Sequence, residues 1–523
     1  MCCHAACYND KISAYVAANH PCASTSAASD QGTEPIMSRL NTSVTSASLW
    51  SFANSIGTRG LSFVFFILLS RELAPSALGL MALALSVSFL VDTLCEAGLS
   101  DALVRQTELS ESFINAVTTI QGGIGMLFLL LSFVLGAPIA HAFHEPLLTY
   151  LLPAVMTASL CSALALTPLA MLKRSMKFRE ITIRNFGGTF IGGVVGYLMA
   201  RNGYGVWSLV ALQVANALTA AIICYMVAGR WPKPSLNLSV LAPVAAFAWR
   251  MTGTKLLENS LSRLDQFLVG SVFGVHALGL YALAGKLCET LFSVACMPFA
   301  DVFLSKLTKY IGDRAQFIQQ FFTFIHFAAL IGPITFAMAA LFLNAFLGDL
   351  FGQQWRDAAP YIWIMLGFAT VQSVAYVNSV ALVALGLAKV RLNMAIISIV
   401  MWAITIGILF SHGPLMAAVA WACRVSIIFP VQIVFLKKEL EFSLATYWAA
   451  MQAGWLAAGA SVACYAATTL ALPWTGHSLI ARALALSISG AAGALVIWYA
   501  SPIARSKLNQ LLGVAMARLP TSR

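Results

Sequence analysis

The chain has 523 residues, of which 59% are hydrophobic and 10% charged, with a formal net charge of +11. A soluble globular protein carries about a quarter charged residues, so this composition leaves too little polar surface to face water on every side, and the mean hydropathy of +0.82 agrees. A soluble enzyme or binding domain is excluded, and an all-α polytopic membrane protein is predicted.

In chain order, residues 1–36 are polar and rich in Ala and Ser. They hold Cys2, Cys3, Cys7, Cys22, His4 and His20, but in no zinc-site spacing and with no apolar run of a signal peptide. They read as a disordered tail, with Met37 a candidate start. Fourteen apolar runs of about 20 residues follow, the length that crosses about 30 Å of hydrocarbon. They lie at 48–70, 77–99, 113–135, 147–170, 183–200, 205–228, 247–273, 277–304, 318–346, 358–385, 389–410, 413–436, 447–471 and 478–500. The other seven cysteines sit singly inside these runs, as small apolar packers rather than a disulfide framework.

Alternate loops differ in basic charge. One set, with Arg39 and the tail, holds twenty Lys and Arg, among them Arg105, Lys173, Arg174, Lys177, Arg179, Arg184, Lys306, Lys309 and Lys437. The opposite set holds only Arg71, Arg201, Arg356 and Arg482. The asymmetry supports the span count and places both termini in the cytoplasm. It also accounts for the net charge without nucleic acid, because short basic loops face anionic lipid. KRSMKFRE (173–180) reads as a basic amphipathic loop on the inner leaflet.

The phrase ALGLMALAL at 77–85 returns as ALGLYALAG at 277–285, a shift of 200 residues. The two copies open the second and eighth runs. An even number of spans separates them, so they share one orientation, as parallel repeats do. At the same shift, Ser55, Thr58 and Ser62 correspond to Lys255, Glu258 and Ser262, and Arg59 to Asn259. These positions recur at helical spacing, so each repeat opens with a polar stripe. The predicted organisation is a six-helix lobe at 37–235, a second at 236–440, two further helices at 441–503 and a basic cytoplasmic tail at 504–523. A polar stripe in hydrocarbon is costly unless it faces a water-filled cavity or hydrogen-bonds across a solid core.

Charges inside spans cost about 2.5–3.5 kcal/mol each near mid-bilayer, so they are kept for pairing or function. Arg59, Arg263 and Arg424 fall mid-span, with Lys255 and Lys286 to either side; Arg250 sits near the interface and snorkels. Together they are candidates for a cationic ladder binding an anionic headgroup, since guanidinium forks match phosphate oxygens. The competing reading pairs Lys255 with Glu258 and Lys286 with Glu289 at i,i+3. The candidate cavity set is Arg59, Lys255, Arg263, Lys286, Arg424, Ser55, Thr58, Ser62, Asn259 and Ser262. Asp265, Glu258, Asp92 and Glu96 are candidates to carry a coupling proton or sodium ion, or to partner the arginines. Gly188, Gly192 and Gly196 form a helix-packing face, and His326 and Asn378 read as satisfied core groups. No nucleotide, serine-hydrolase or zinc-protease motif is present, and the mostly short loops leave no room for a catalytic domain, so a non-enzyme without cofactor or metal is predicted.

LSRLDQFLVGSVFGVHALGLYALAGKL (261–287) resembles the signature segment of Wzx-type oligosaccharide flippases, the polysaccharide-transporter branch of the multidrug/oligosaccharidyl-lipid/polysaccharide exporter superfamily. Asp265, Gly270, Gly274, Gly279, Tyr281 and Ala284 carry the match. RELAPSALG (71–79), KRSMKFRE and GYGVWSLV (203–210) are also similar to family segments and point to the exopolysaccharide-export subgroup. The likeness covers about 40–440; Ser76-Ala77-Leu78 departs from it, and 1–36 has no counterpart. The resemblance implies flipping of an undecaprenyl-pyrophosphate-linked oligosaccharide across a bacterial inner membrane, by two lobes that alternate access. It implies membrane lipids and polysaccharide polymerase or export machinery as partners. The alternatives are an ion-coupled multidrug exporter of the same fold, which should line its cavity with carboxylates, and a membrane glycan polymerase or ligase, which needs a large external loop.

Overall fold

The structure is a computed structural model that describes residues 57–96, 98–100, 103, 110–229, 233, 241–471 and 479–500. The expected tail at 1–36 and the basic tail at 504–523 lie outside the described residues. Trp50–Arg523 forms one compact unit. Among the described residues it is helical, with no strand.

The helices are α1 (57–72), α2 (Pro75–Glu96), α3 (Glu111–Ala142), α4 (Leu148–Arg174), α5 (Phe178–Arg201) and α6 (Trp207–Ala228). A 54-residue helix, Ala242–Ala295, then breaks into α7 (242–273) and α8 (275–295). α9 (Met297–Thr308), α10 (Arg314–Phe351), a 3-10 turn (Gln353–Ala358), α11 (Ala359–Ala384), α12 (Ala388–Leu409), α13 (Met416–Leu440), α14 (Leu444–Ala471) and α15 (Leu479–Ala500) follow. Among the described residues, ten helices are long and apolar enough to cross a membrane. Each predicted run is mostly helix where it is described, with turn at some ends, as at Gly98, 205–206 and 413–415. Of the other helices, α5 is interrupted by glycine, polar and charged residues and the first part of α7 by polar and charged ones, while α1 is described only over 57–72 and α12 counts only as the shorter apolar stretch Ile396–Leu409.

Local chemistry sets the boundaries. Ser110 caps α3 by accepting from the Phe113 amide at 3.2 Å, and Asp313 caps α10 by accepting from Gln316 at 3.1 Å. The α7–α8 break is at Gly274, with φ 79° and ψ 173°, a backbone region reserved for glycine. The two hairpins, α5–α6 and α12–α13, turn through Gly203 (φ 82°) and Gly413 (φ 99°), a further echo of the repeat.

The repeated phrase has a spatial counterpart. α2 packs on α8 so tightly that a Cβ on Gly79 would overlap the Val275 carbonyl, and a Cβ on Gly279 would overlap the Pro75 carbonyl. Each contact is the other shifted by 200 residues, so the phrase marks a two-fold crossing of equivalent helices. One apolar core runs through this crossing, joining Leu80–Ala84 and Leu151 to Leu283, Phe292, Phe336 and Trp421. The predicted glycine face on α5 also packs: Gly188 and Gly192 back onto Asn216, and Gly196 onto Leu212 of α6. α14 docks on α10 at Gly454, where a Cβ would strike Ala329. His326 lies 3.1 Å from the Ala450 carbonyl, and Tyr447 donates to the Asn378 Oδ1 at 3.0 Å, so α14 meets both lone polar residues, although the Asn378 Nδ2 is buried without a hydrogen-bond partner.

Candidate functional site

Three polar features connect or line the helices that the repeat makes equivalent. The first centres on Asp265 of α7. Its carboxylate accepts from the Tyr281 hydroxyl at 2.9 Å and the Gln266 amide at 2.8 Å, with Arg424 of α13 and Arg263 as its cationic neighbours. Arg263 lies 4.7 Å above the Phe89 ring of α2, and Arg424 lies 6.0 Å from the Trp421 ring. Ser86 of α2 donates to Gln266 at 3.2 Å. Two guanidinium groups thus attend one carboxylate where α2, α7 and α13 meet. Sequence spacing had no means of joining residues 265, 281 and 424.

The other proposed ladder cations are engaged elsewhere. Arg59 of α1 donates to the Ser293 carbonyl of α8 at 2.5 Å, a strap between the first and second repeats. Lys286 pairs with Glu289 at 3.7 Å, the i,i+3 pairing that the sequence allowed, with both side chains half exposed. Lys255 is half-buried and has a partner. Ser62 is exposed. Ser55 lies outside the described residues, and only the backbone of Glu258, Asn259 and Ser262 is described.

The second feature is a cavity of about 290 Å³ lined by α1, α2, α4, α5 and α6. Thr58, Asp92, Ser159, Arg184, Gln213 and Asn216 are among its lining residues. Asp92 is held by Ser159, with Glu96 its exposed charged neighbour, yet its Oδ1 is buried without a hydrogen-bond partner. Arg184 donates to Asn185 at 2.7 Å, and its Nε is buried without a partner. A polar cavity with orphaned atoms of both signs is a place for water or an ion rather than lipid. Arg184 reads in the sequence as part of a basic loop. The structure places it on α5, lining the cavity. Its signal was the i,i+4 spacing to Gly188, which set it on the α6-facing side.

The third feature closes the end that carries Arg71, Arg356 and Arg482. The last carbonyls of a helix have no partner within it. Arg71 of α1 donates to the Leu350 carbonyl at 2.7 Å and to that of Asp349, the last turn of α10. In return Trp355 donates to the Ser70 carbonyl at 2.7 Å, and Gln354 to the Arg71 carbonyl at 2.9 Å. Each helix end is capped by the other repeat. The Asp349 carboxylate also pairs with Arg482 of α15 at 2.7 Å.

A polytopic helical protein with two equivalent helix sets, joined by polar contacts inside an apolar chain, is built as a membrane transporter. Its family follows from comparison: residues 68–360 match the family model described as polysaccharide biosynthesis protein, and the chain belongs to that family. It is 27% identical over 322 residues to the succinoglycan biosynthesis transport protein ExoT of Rhizobium meliloti, covering 61% of this chain and 64% of that one. It is 21% identical to the lipopolysaccharide biosynthesis protein WzxC of Escherichia coli, covering 63% and 67%. The chain thus aligns with about two thirds of each relative's length. The fold is similar to the lipid II flippase MurJ in an inward closed conformation, at TM-score 0.65, 12% identity and 88% coverage of this chain and 99% of that one. It is also similar to an inward-facing multidrug resistance MATE transporter, at TM-score 0.59 and 12% identity, covering 73% and 94%. The predicted all-α membrane fold and the predicted family stand.

Proposed function

We propose that this protein flips an undecaprenyl-pyrophosphate-linked oligosaccharide across the bacterial inner membrane for exopolysaccharide or lipopolysaccharide synthesis. The observation that supports the reading is the pair of arginines beside Asp265: Arg424 and Arg263 are its cationic neighbours, while its carboxylate itself accepts from Tyr281 and Gln266. A diphosphate headgroup needs such a surplus of guanidinium charge along its path, whereas the lipid tail stays in the bilayer. An ion-coupled multidrug exporter draws support from the MATE-like fold and from the unpartnered Asp92 oxygen. An exporter of organic cations would line the interface with carboxylates, which the two arginines oppose.

Residues 37–235 and 236–440 act as the two lobes, and 441–503 as an accessory pair. The basic-rich loops and both termini face the cytoplasm. The clasp at Arg71 then closes the outer side, and flipping requires it to part while the α2–α8 crossing serves as the pivot. A short reversible cross-link between Ser70→Cys and Gln354→Cys is expected to abolish export, and cleavage of the linker to restore it. Export that continues while the link is intact would show that this end never opens.

Deletion of the protein is expected to stop extracellular polysaccharide and leave lipid-linked oligosaccharide accumulating in the membrane. Unchanged polysaccharide without accumulation would overturn the reading.

A further inference from the structure

A second cavity, of about 590 Å³, opens beside the clasp between α10, the 3-10 turn, α14 and α15. Its polar lining includes Asn344, Asp349, Gln353, Arg356, Tyr465 and Arg482. Five of these six are planar forks, each able to make paired hydrogen bonds. That geometry suits neighbouring hydroxyls on a sugar ring, which donate and accept at once. The tyrosine ring adds a flat apolar face for the ring's C–H groups.

The groups are held before any ligand arrives. Arg482 is fixed by Asp349 at 2.7 Å and lies 5.1 Å over the Phe346 ring. Asn344 accepts from the Trp363 indole at 3.1 Å and bonds Tyr465. The Arg482 Nε is buried without a hydrogen-bond partner. Gln353 and Arg356 stand exposed on the turn that forms the rim. The volume falls within the few hundred to about 1,000 Å³ of small-ligand sites. Two guanidinium groups oppose a metal cation, and the polar lining opposes an acyl chain.

We infer that this cavity is a saccharide-binding site, which receives the glycan of the cargo on the side where it is delivered. The site follows from its own lining; the identity of the glycan rests on the flippase reading. Asp349 joins the site to the clasp, because its carboxylate holds Arg482 while its backbone carbonyl holds Arg71. A glycan that draws Arg482 towards its hydroxyls bears directly on the helix end that the clasp grips.

The test places the photo-cross-linker p-benzoylphenylalanine at Thr469, a lining residue whose own hydroxyl bonds only to backbone carbonyls of its helix. The full chain is expressed in the producing strain without its native copy, irradiated and analysed by mass spectrometry. A second probe at Ala485, on α15, serves where the first impairs export. Saccharide-bearing adducts are expected, at least fivefold fewer with Gln353→Ala and Arg356→Ala together. A control probe at Leu470, 84% exposed, should capture phospholipid only. Phospholipid adducts alone, or no adduct, at both lining positions in an export-competent chain would overturn the site. Failure of the unsubstituted chain to restore export would count against the flippase reading alone, and saccharide adducts in that strain would leave the site standing.

Discussion

Valine at position 79 or at position 279 is expected to abolish export and lower full-length protein in the membrane several-fold, whereas alanine at 285 leaves both unchanged. At the first two positions the added carbon meets a backbone carbonyl of the opposing helix, Val275 for Gly79 and Pro75 for Gly279. Backbone has nowhere to retreat, unlike the tip of a flexible side chain. Overpacking a tight contact costs about 1–3 kcal/mol and occasionally more. Here the helices must separate along the crossing, which also loosens the buried Leu80, Leu83, Leu280 and Leu283 beside it. Gly285 belongs to the same phrase but has nothing within 4 Å of its would-be Cβ, so it is an internal control. Equal damage at 79 and 279 follows from the two-fold relation. The check is quantitative immunoblotting of membranes beside an export assay. Wild-type behaviour of either valine variant would mean that α2 and α8 do not cross there.

Asp265 gives the second large effect. Asp265→Ala removes the carboxylate that Arg263 and Arg424 neighbour, and leaves the Tyr281 hydroxyl without its acceptor. Leaving a buried donor without its acceptor costs about 1–3 kcal/mol, and the two neighbouring guanidinium groups also lose a nearby countercharge. The expected result is a strong fall in both protein level and export. Removing the cation as well separates structure from function. Asp265→Asn with Arg424→Gln keeps the local net charge of the wild type and supplies a hydrogen-bonding amide, so protein level should recover while export stays lost. Arg424→Ala alone should insert but fail to export. Full export from the double variant would leave these residues with a packing role only.

Much of the fold was legible because hydrocarbon imposes long apolar runs, and each run is mostly helix where it is described. The 200-residue phrase was legible too, and its glycines proved to be the contact itself. The Lys286–Glu289 pair was readable because i,i+3 neighbours touch on any helix. The rest depended on tertiary geometry. The clasp uses backbone carbonyls of Ser70, Arg71, Asp349 and Leu350 as acceptors, and a carbonyl has no letter in the sequence. Arg59 looked like a cavity cation for the same reason: its acceptor is the main chain of Ser293. Arg184 was absorbed into a run of basic loop residues, and only the pitch of α5 turns it towards Asp92's cavity.

The most direct measurement is flipping itself, in proteoliposomes that contain the protein and an undecaprenyl-pyrophosphate-linked oligosaccharide loaded in the inner leaflet. A membrane-impermeant glycosidase outside reads how much cargo has crossed. The account predicts that the cleavable fraction rises with time with the wild-type protein and stays at the level of protein-free vesicles with Arg424→Ala. A wild-type protein that leaves the fraction at the protein-free level would contradict it.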